Sequence, residues 1–159
     1  MKLTTVCYLR QGDEVLMLHR VKKEIDINKG KWVGVGGRFE NGESPLECAM
    51  REVKEETGLT MLDPQLRAHI TFNFLDPDPS LKDWETEYTY VYTCEHWEGE
   101  LTESEIDEGL LYWIPLDALP GLDLWEGDSL FLDLIFHGAP FFAMKMIYDG
   151  DKLVSWTLD

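Results

Sequence analysis

Basic residues are scarce in this chain. It has 14 lysines and arginines against 31 aspartates and glutamates, which gives a formal net charge of −17 at pH 7. A surface this acidic repels the backbone of DNA or RNA and the head groups of an anionic membrane, so we expect neither as a partner. Solubility is the simplest reason for such acidity. A small phosphorylated ligand stays compatible with it, provided that a metal ion or a local basic group offsets the repulsion.

Cysteines and long apolar runs are also few. Cys7, Cys48 and Cys94 are odd in number, widely spaced and set in apolar surroundings, which excludes a disulfide framework and a zinc site. No apolar run approaches the roughly 20 residues that span a membrane. Met1 leads directly into an alternating segment without the pattern of a signal peptide. We therefore predict reduced core thiols and a cytoplasmic protein.

The order of predicted elements indicates an α+β protein with a mixed sheet. No internal repeat, low-complexity tract or flexible linker divides the chain, so we predict a single domain over residues 1–159. Strand patterns occur in runs, with hairpin signals at Gly12-Asp13 and Asp149-Gly150, and helical spacing is convincing in two segments. The predicted strands are 4–9, 14–21, 32–39, 65–74, 87–95, 110–114, 141–148 and 152–158, the helices are 45–57 and 128–137, and the long loops are 22–31 and 75–85.

The first helix has clear start and stop signals. Ser44 can cap it, Pro45 suits the first helical position, and Glu47 completes a capping box. Gly58 supplies the residue just past its end. Apolar residues recur between these points at i, i+3, i+4 and i+7, so one stripe of this helix should face the core.

Three carboxylates crowd the opposite side of the same helix. Glu52, Glu55 and Glu56 are spaced at i, i+3 and i+4, where like charges destabilise a helix. Arg51 lies four residues before Glu55 and can offset that one charge. A solvated acidic face is the usual meaning of such a pattern. The alternative is a site for Mg²⁺ or Mn²⁺, because these ions select clustered carboxylate oxygens.

The spacing around this helix is much more specific than its acidity. From residue 37 to residue 59 the sequence resembles the signature of the Nudix family at every specified position, including the two that require an aliphatic residue. The match is carried by Gly37, Glu43, Arg51, Glu52, Val53, Glu55, Glu56, Gly58 and Leu59.

This resemblance implies a fold, an activity and a metal. The fold is a Nudix-type α/β/α sandwich, and the activity is Mg²⁺-dependent hydrolysis of nucleoside-diphosphate-linked substrates, with Mn²⁺ as an alternative ion. The implied metal ligands are the carboxylates of Glu52, Glu55 and Glu56 and the backbone carbonyl of Gly36.

The resemblance also implies roles around the metal. Arg51 resembles the family's structural arginine, which orients a catalytic glutamate, and Glu43 resembles the loop glutamate that supports the metal shell. Divalent ions lower the pKa of a bound water and align it for attack on phosphorus, and Glu52 or Glu56 would accept its proton. Family members often recruit one more acid from outside the signature. We predict Glu108, with the acids at 103, 105 and 107 as alternatives.

Similarity outside the signature extends discontinuously over most of the chain. Residues 32–37, 70–74 and especially 124–129 resemble MutT-type hydrolases, which remove oxidised purine nucleoside triphosphates. A purine needs flat apolar faces and a few polar groups at its edge. The substrate-binding residues implied by the resemblance are the aromatic walls Phe72, Phe74 and Trp125, the edge-reading Asp128, and Lys23 near the entrance.

Other interpretations of these positions stay open. Aromatic residues on a strand belong to the core more often than to a ligand site, and Asp128 could cap a helix. If it does face a base, its carboxylate can accept from guanine, or donate if burial keeps it protonated. Val33 stands where the mammalian oxidised-purine enzymes carry a base-reading asparagine, and Gly127 replaces one of their two adjacent acids.

Three functions are consistent with the sequence. The favoured one is hydrolysis of an oxidised purine nucleoside triphosphate such as 8-oxo-dGTP to a monophosphate and pyrophosphate, by a monomer or small homo-oligomer. A second is hydrolysis of another diphosphate, such as a nucleotide sugar or a dinucleoside polyphosphate. The third is a non-catalytic nucleotide sensor, but such domains tend to lose the charged residues that are intact at positions 51, 52, 55 and 56.

Overall fold

The computed structural model describes residues 1–24, 26–80, 85–101 and 103–159. A 3₁₀ helix, Leu116–Gly121, precedes the second α-helix. No helix within these ranges is long and apolar enough to cross a membrane. In chain order the other elements are β1 (Lys2–Gln11), β2 (Glu14–His19), β3 (Trp32–Val33), β4 (Val35–Arg38), α1 (Pro45–Thr57), β5 (Thr60–Leu62), β6 (Gln65–Leu75), β7 (Thr86–Cys94), β8 (His96–Glu98), β9 (Glu105–Ile106), β10 (Gly109–Pro115), α2 (Asp128–Phe136), β11 (Phe142–Asp149) and β12 (Lys152–Leu158).

The main sheet is mixed, as predicted. Its strands follow the order β12-β11-β6-β7-β1-β2-β10-β9, with β4 attached to β1 and β3 attached to β2. β1 runs parallel to β7 and β6 runs parallel to β11, whereas β6 and β7 are antiparallel. β5 and β8 form a separate two-stranded sheet. The parallel pair β1 and β7 joins two segments that are distant in sequence, and this pairing builds one wall of the site described below.

The two helices cover opposite faces of the main sheet. Successive residues of a strand point to opposite faces, so the alternating apolar residues of β1 supply two separate cores. Leu9 packs in the core that contains Val53 of α1, and Tyr8 packs in the core that contains Phe131 of α2. Burying side chains of this size stabilises the fold by about 1.5–3 kcal/mol each. The predicted α+β class and α/β/α sandwich are confirmed.

Helix α1 has the predicted caps. The Ser44 side chain accepts a hydrogen bond from the Glu47 backbone N–H, and the Glu47 carboxylate accepts one from the Ser44 N–H. The helix ends at Gly58, whose N–H donates to the Lys54 carbonyl and whose left-handed φ of 80° turns the following chain away from the helix. Because both ends are fixed, the acidic face of α1 has a defined position over β4.

The predicted strand 32–39 is two short strands with different partners. β3 pairs with β2 and β4 pairs with β1, and the change of partner falls at Gly34. A Cβ at Gly34 would lie 2.7 Å from the Val6 side chain, so the chain passes tightly against β1 there. The prediction that something approaches this glycine-rich backbone closely is confirmed.

The sequence pattern gives no sign of β5, β8 or β9. Each has two or three residues, too few for an alternating pattern to appear. The predicted loop 75–85 is irregular from residue 76 to Ser80, and positions 81–84 of that prediction lie outside the described residues. Position 25 of the predicted loop 22–31 lies outside them as well.

Candidate active site

A cleft of about 420 Å³ opens between β1, β6 and β7 on one side and the first turn of α2 on the other. This volume falls within the usual range of small-ligand pockets. The cleft brings together both groups of residues singled out in the sequence. The lining residues that belong to the predicted substrate site are Lys23, Val33, Phe72, Phe74, Trp125 and Asp128. Those that belong to the predicted metal site are Gly36, Glu52, Glu56 and Glu108.

A second, acidic cleft of about 810 Å³ adjoins the first. Glu52, Glu56 and Glu108 line both clefts and so mark their junction. Glu55 lies in the acidic cleft only, with the acids at 103, 105 and 107. Of the four candidate acids after β8, Glu108 is therefore the one that also lines the first cleft.

The guanidinium of Arg51 organises the acidic face of α1. It donates from Nη1 to Glu52 Oε1 at 2.8 Å and to Glu55 Oε2 at 3.2 Å, and from Nη2 to the Arg38 carbonyl at 3.0 Å. Its strongest partner is Glu43, which accepts from both Nε and Nη2. The predicted contact with Glu55 is present, but Glu55 is 58% exposed and this contact is a minor part of the network.

Glu43 acts through Arg51. Its side chain lines neither cleft among the described residues. The hydrogen bonds from Arg51, and then one from the Glu40 backbone N–H at 2.9 Å, lower the pKa of Glu43 to about 2. The geometry therefore makes Glu43 an anchor for the arginine, and Arg51 in turn holds Glu52 at the junction of the clefts.

The environment of Glu56 disfavours its charged form, in contrast to that of Glu43. Its Oε2 atom is buried and has no hydrogen-bond partner in the described structure. Burial, followed by the negative charges of Glu52 and Glu108, raises its pKa to about 8, against smaller effects of the Arg20 charge and then of the Gly36 backbone hydrogen bond. Burial also raises the pKa of Glu52. Carboxylates crowded in this way require a cation nearby to become fully charged.

The oxygen-rich junction suits a hard divalent cation, although its carboxylates do not already form a cage. Within the described ranges, no three His, Cys, Asp or Glu side chains are arranged closely enough to hold a metal ion. Glu52 and Glu55 are drawn toward Arg51 instead. At the junction, the unpartnered oxygen of Glu56 is the group that fits such a cation best. Gly36 lines the first cleft beside it, and its backbone N–H donates to Glu56.

Gly37, the first residue of the signature, lies in close contact with Glu52. A Cβ at Gly37 would lie 2.7 Å from the carboxylate of Glu52. A side chain at this position would displace the Glu52 carboxylate from its place beside β4.

Four aromatic rings line the far end of the first cleft. Phe74 meets Trp125 edge-on at a centroid distance of 6.1 Å, and Trp125 meets Tyr148 edge-on at 5.3 Å. Phe72 lies 6.5 Å from Phe74. Phe72, Phe74 and Trp125 also pack against the core below α2. The two interpretations of these aromatics are thus compatible, because one side of each ring packs on the core while the residue also borders the cleft.

Asp128 is buried at the base of this aromatic pocket, with 6% of its surface exposed. Burial, and then the charge of Glu87, raises its pKa to about 8, so the carboxyl is mostly protonated at neutral pH. It is the first residue of α2 and makes no capping hydrogen bond, and the cap position belongs to Gly127. The alternative role of Asp128 as a helix cap is therefore wrong.

The absence of an acid at position 127 has a local cause. The Gly127 N–H donates to the Tyr148 hydroxyl at 2.7 Å. A Cβ at Gly127 would lie 2.8 Å from that hydroxyl and closer still to Met146. The Tyr148 hydroxyl and the Met146 thioether fill the space that a side chain at 127 would need.

Several lining residues escaped the sequence analysis. Asn28 lines the cleft and accepts a hydrogen bond from the Trp125 indole at 2.7 Å. Lys23, by contrast, was predicted near the entrance; it is 52% exposed, and its ammonium lies 3.8 Å from the Glu108 carboxylate. On the opposite wall, β1 and β7 contribute polar residues, among them Glu87. No local pattern marks these positions, because distant segments bring them together.

Comparison with known proteins shows the family to which this chain belongs. The model of the NUDIX domain matches residues 2–135. The chain therefore belongs to the Nudix family, whose members include hydrolases of phosphoric anhydrides.

Relatives of similar length match nearly the whole chain. The oxidized purine nucleoside triphosphate hydrolase of Mus musculus is 31% identical over 157 residues, which cover 99% of this chain and 94% of that protein. The Nudix hydrolase YvcI of Bacillus subtilis is 31% identical over 156 residues, which cover 98% and 92%. The crystal structure of a MutT protein from Bacillus halodurans superposes with a TM-score of 0.85 at 28% identity, covering 100% of this chain and 98% of that one.

Proposed function

We propose that this Nudix hydrolase converts a purine nucleoside triphosphate and water to the monophosphate and pyrophosphate, and that it requires Mg²⁺ or Mn²⁺. The observation that carries the proposal is the junction of the two clefts, where Glu52, Glu56 and Glu108 stand between an aromatic pocket and an acidic cleft. A nucleotide whose base enters the aromatic pocket would place its phosphates at these carboxylates.

Oxygen donors at and beside the junction are of the kind that a hard divalent cation prefers. Glu52, Glu55, Glu56 and the Gly36 backbone would hold it, with Glu108 as a further acid. When bound, a divalent cation neutralises phosphate oxygens and lowers the pKa of an attacking water. Because the chain carries a net charge of −17, the negatively charged phosphates need such a counter-charge to approach the carboxylates.

The side chains of the protein would supply the other functions, which are positioning, proton acceptance, charge neutralisation and base binding. Arg51 and Glu43 fix Glu52 at the junction, while Glu52 or Glu56 accepts the water's proton. Lys23 and Arg20, which line the cleft, offset the charge of the phosphates. Phe72, Phe74 and Trp125 hold the base and thereby align the phosphates for in-line attack.

An oxidised purine is the proposed substrate class. The mouse and zebrafish relatives that match nearly the whole chain both carry the name oxidized purine nucleoside triphosphate hydrolase. The aromatic pocket and the buried Asp128 suit a purine with polar groups at its edge. Val33 lines the pocket but is apolar, so Asp128 and its neighbours would have to supply the selectivity for an oxidised base.

The deciding experiment measures pyrophosphate and phosphate release with Mg²⁺ from nucleoside triphosphates, nucleotide sugars and dinucleoside polyphosphates. We expect pyrophosphate from purine triphosphates, with kcat/KM for 8-oxo-dGTP at least tenfold above that for dGTP, since one well-made base contact contributes about 1–3 kcal/mol. Equal values for the two would reject the role in removing oxidised nucleotides. Turnover of sugars or dinucleotides alone would favour the second activity, and no turnover of any of them would favour a sensor.

A further inference from the structure

A chain of hydrogen bonds runs along the wall of the base pocket opposite Asp128. The Thr4 hydroxyl donates to Glu87 Oε1 at 2.8 Å, and Thr4 and Thr89 hydroxyl oxygens are 2.8 Å apart. A hydroxyl has one proton to donate, and Thr4 gives its proton to Glu87. Thr89 must therefore donate to Thr4, and this relay sets the orientation of the Glu87 carboxylate.

The strand register places Glu87 beside an aromatic wall of the pocket. Glu87 is paired directly with Phe72 across β6 and β7, and with Lys2 across β1 and β7. Directly paired residues project from the same face of a sheet about 4.5–5.5 Å apart. Glu87, Phe72 and Asp128 all line the one cleft, and the charge of Glu87 contributes to the raised pKa of Asp128.

Two other positions that could read a base edge are unable to do so here. Val33 has no polar group, and position 127 has no room for a side chain. A pocket with these two changes needs another hydrogen-bonding residue to tell one purine from another. The ordered carboxylate at position 87 is placed to supply it.

We propose that Glu87 is a specificity-determining residue that accepts hydrogen bonds from the adjacent N1–H and N2–H donors of a guanine-type base. The proposal rests on the proposed function, because it assumes that the base occupies the aromatic pocket. The two oxygens of a carboxylate match two neighbouring N–H donors, as in other bidentate contacts. Guanine and 8-oxoguanine present such a pair, hypoxanthine keeps N1–H alone, and adenine has no adjacent pair. A protonated Asp128 would donate to the O6 acceptor on the same edge.

Glu87 has a competing structural role as a counter-ion of Lys2. Burial lowers the pKa of Lys2 to about 8, and the charge of Glu87 acts in the opposite direction. If that were its whole role, replacing Glu87 would affect all purine nucleotides equally. Selectivity among bases is the property that separates the two roles.

The test compares the binding of GMP, IMP and AMP in Mg²⁺ buffer by calorimetry, so that no turnover is needed. The variants are Glu87→Gln, Thr89→Val, and Glu85→Gln as a matched control that removes an exposed carboxylate just before β7. For the parent we expect GMP to bind about tenfold or more tightly than IMP and AMP, as for one bidentate base contact. Glu87→Gln should remove most of this difference while AMP binding changes less than twofold. Thr89→Val should reduce the difference partly, and Glu85→Gln should leave it unchanged.

Three results would overturn the proposal. They are a parent that binds the three monophosphates equally, a Glu87→Gln variant that keeps the preference for GMP, and an equal loss of affinity for all three. The hydrolysis experiment is independent of this one. A preference for GMP that depends on Glu87, in a protein that releases no pyrophosphate from triphosphates, would uphold the base contact and reject the proposed activity.

Discussion

Arg51 donates two hydrogen bonds to the carboxylate of Glu43, which lies on the loop before the helix that carries Arg51. The pair ties the loop to α1 and leaves the remaining guanidinium nitrogen to bind Glu52 at 2.8 Å. Because a bidentate pair fixes the plane of the guanidinium, Glu43 determines where Glu52 is held. The loop glutamate and the helix arginine therefore form one positioning unit for the junction of the clefts.

We predict that Arg51→Lys lowers kcat at least tenfold with little loss of thermal stability. A lysine keeps the charge but cannot form the planar fork that holds Glu43 and Glu52 together. Arg51→Ala should lower kcat further and also lower Tm by a few degrees, since it leaves carboxylates without a partner. Steady-state kinetics and thermal unfolding of both variants check this. Parent-like turnover in Arg51→Lys would show that charge alone is required, and an unfolded Arg51→Ala would show that Arg51 is structural first.

We predict that Glu56→Gln stays folded and loses at least a hundredfold in turnover, the scale expected for loss of a metal ligand or base. Its unfolding temperature at pH 7 should not fall, because the change removes a carboxyl that is partly buried and poorly solvated. Glu98→Gln, at an exposed position in β8, is the control and should turn over like the parent.

Removing the metal ion from the parent tests the same site as the Glu56→Gln variant. EDTA should abolish activity of the parent, and added Mg²⁺ or Mn²⁺ should restore it. Activity that survives EDTA, or a Glu56→Gln variant as fast as the parent, would reject the assignment of the metal site.

The sequence was sufficient to predict α1, its caps and its acidic face because the relevant signals are local. Caps, apolar stripe and carboxylates all lie within residues 44–58, where helix geometry fixes their relative positions. The wall formed by Thr4, Glu87 and Thr89 could not be predicted in this way. It depends on the parallel register of β1 and β7, which are more than 80 residues apart along the chain. No periodicity within either strand specifies which distant strand will lie beside it.

The reason for a glycine at position 127 likewise could not be predicted from the local sequence. From the sequence it is a departure from the pattern of the mammalian enzymes, with no visible reason. In the structure, Tyr148 of β11 places its hydroxyl against the Gly127 backbone and fills the space. The reason depends on a residue from another strand and on packing within the pocket, which only tertiary structure supplies.

We predict that Asp128→Asn stabilises the protein by an amount that grows with pH. The pKa of Asp128 is about 8 in the folded state, against an ordinary value of 3.8. Between these values the folded state binds a proton that the unfolded state has lost, so this carboxyl's contribution to stability is full below pH 4 and is lost as pH rises to 8. The free energy of unfolding of Asp128→Asn, relative to the parent, should rise by about 1.4 kcal/mol per pH unit within this window and level off above it.

Urea unfolding of both proteins from pH 5 to pH 9 measures the difference. Asp151→Asn, which removes an exposed carboxyl in the turn before β12, is the matched control and should follow the parent at every pH. A constant difference between Asp128→Asn and the parent across this range would show that Asp128 is charged in the folded state. It would then be unable to donate a hydrogen bond to a base at neutral pH.

Trp125 lines the aromatic end of the first cleft. Its indole N–H donates to Asn28 at 2.7 Å, and its ring lies edge-on to Phe74 and Tyr148. We predict that Trp125→Ala weakens binding of every purine nucleotide by about 1–3 kcal/mol, the range found for loss of a base–aromatic stack. The effect should appear in KM and in the affinity for the product monophosphate, with a smaller change in kcat, because stacking is present before and during the reaction. Trp125→Phe should lose less, since it keeps an aromatic face but not the bond to Asn28. Trp156→Ala, on the exposed face of β12, is the control for removal of a tryptophan and should leave KM unchanged. If Trp125→Ala lowered kcat alone, or if both alanine variants raised KM alike, Trp125 would not be a wall of the base pocket.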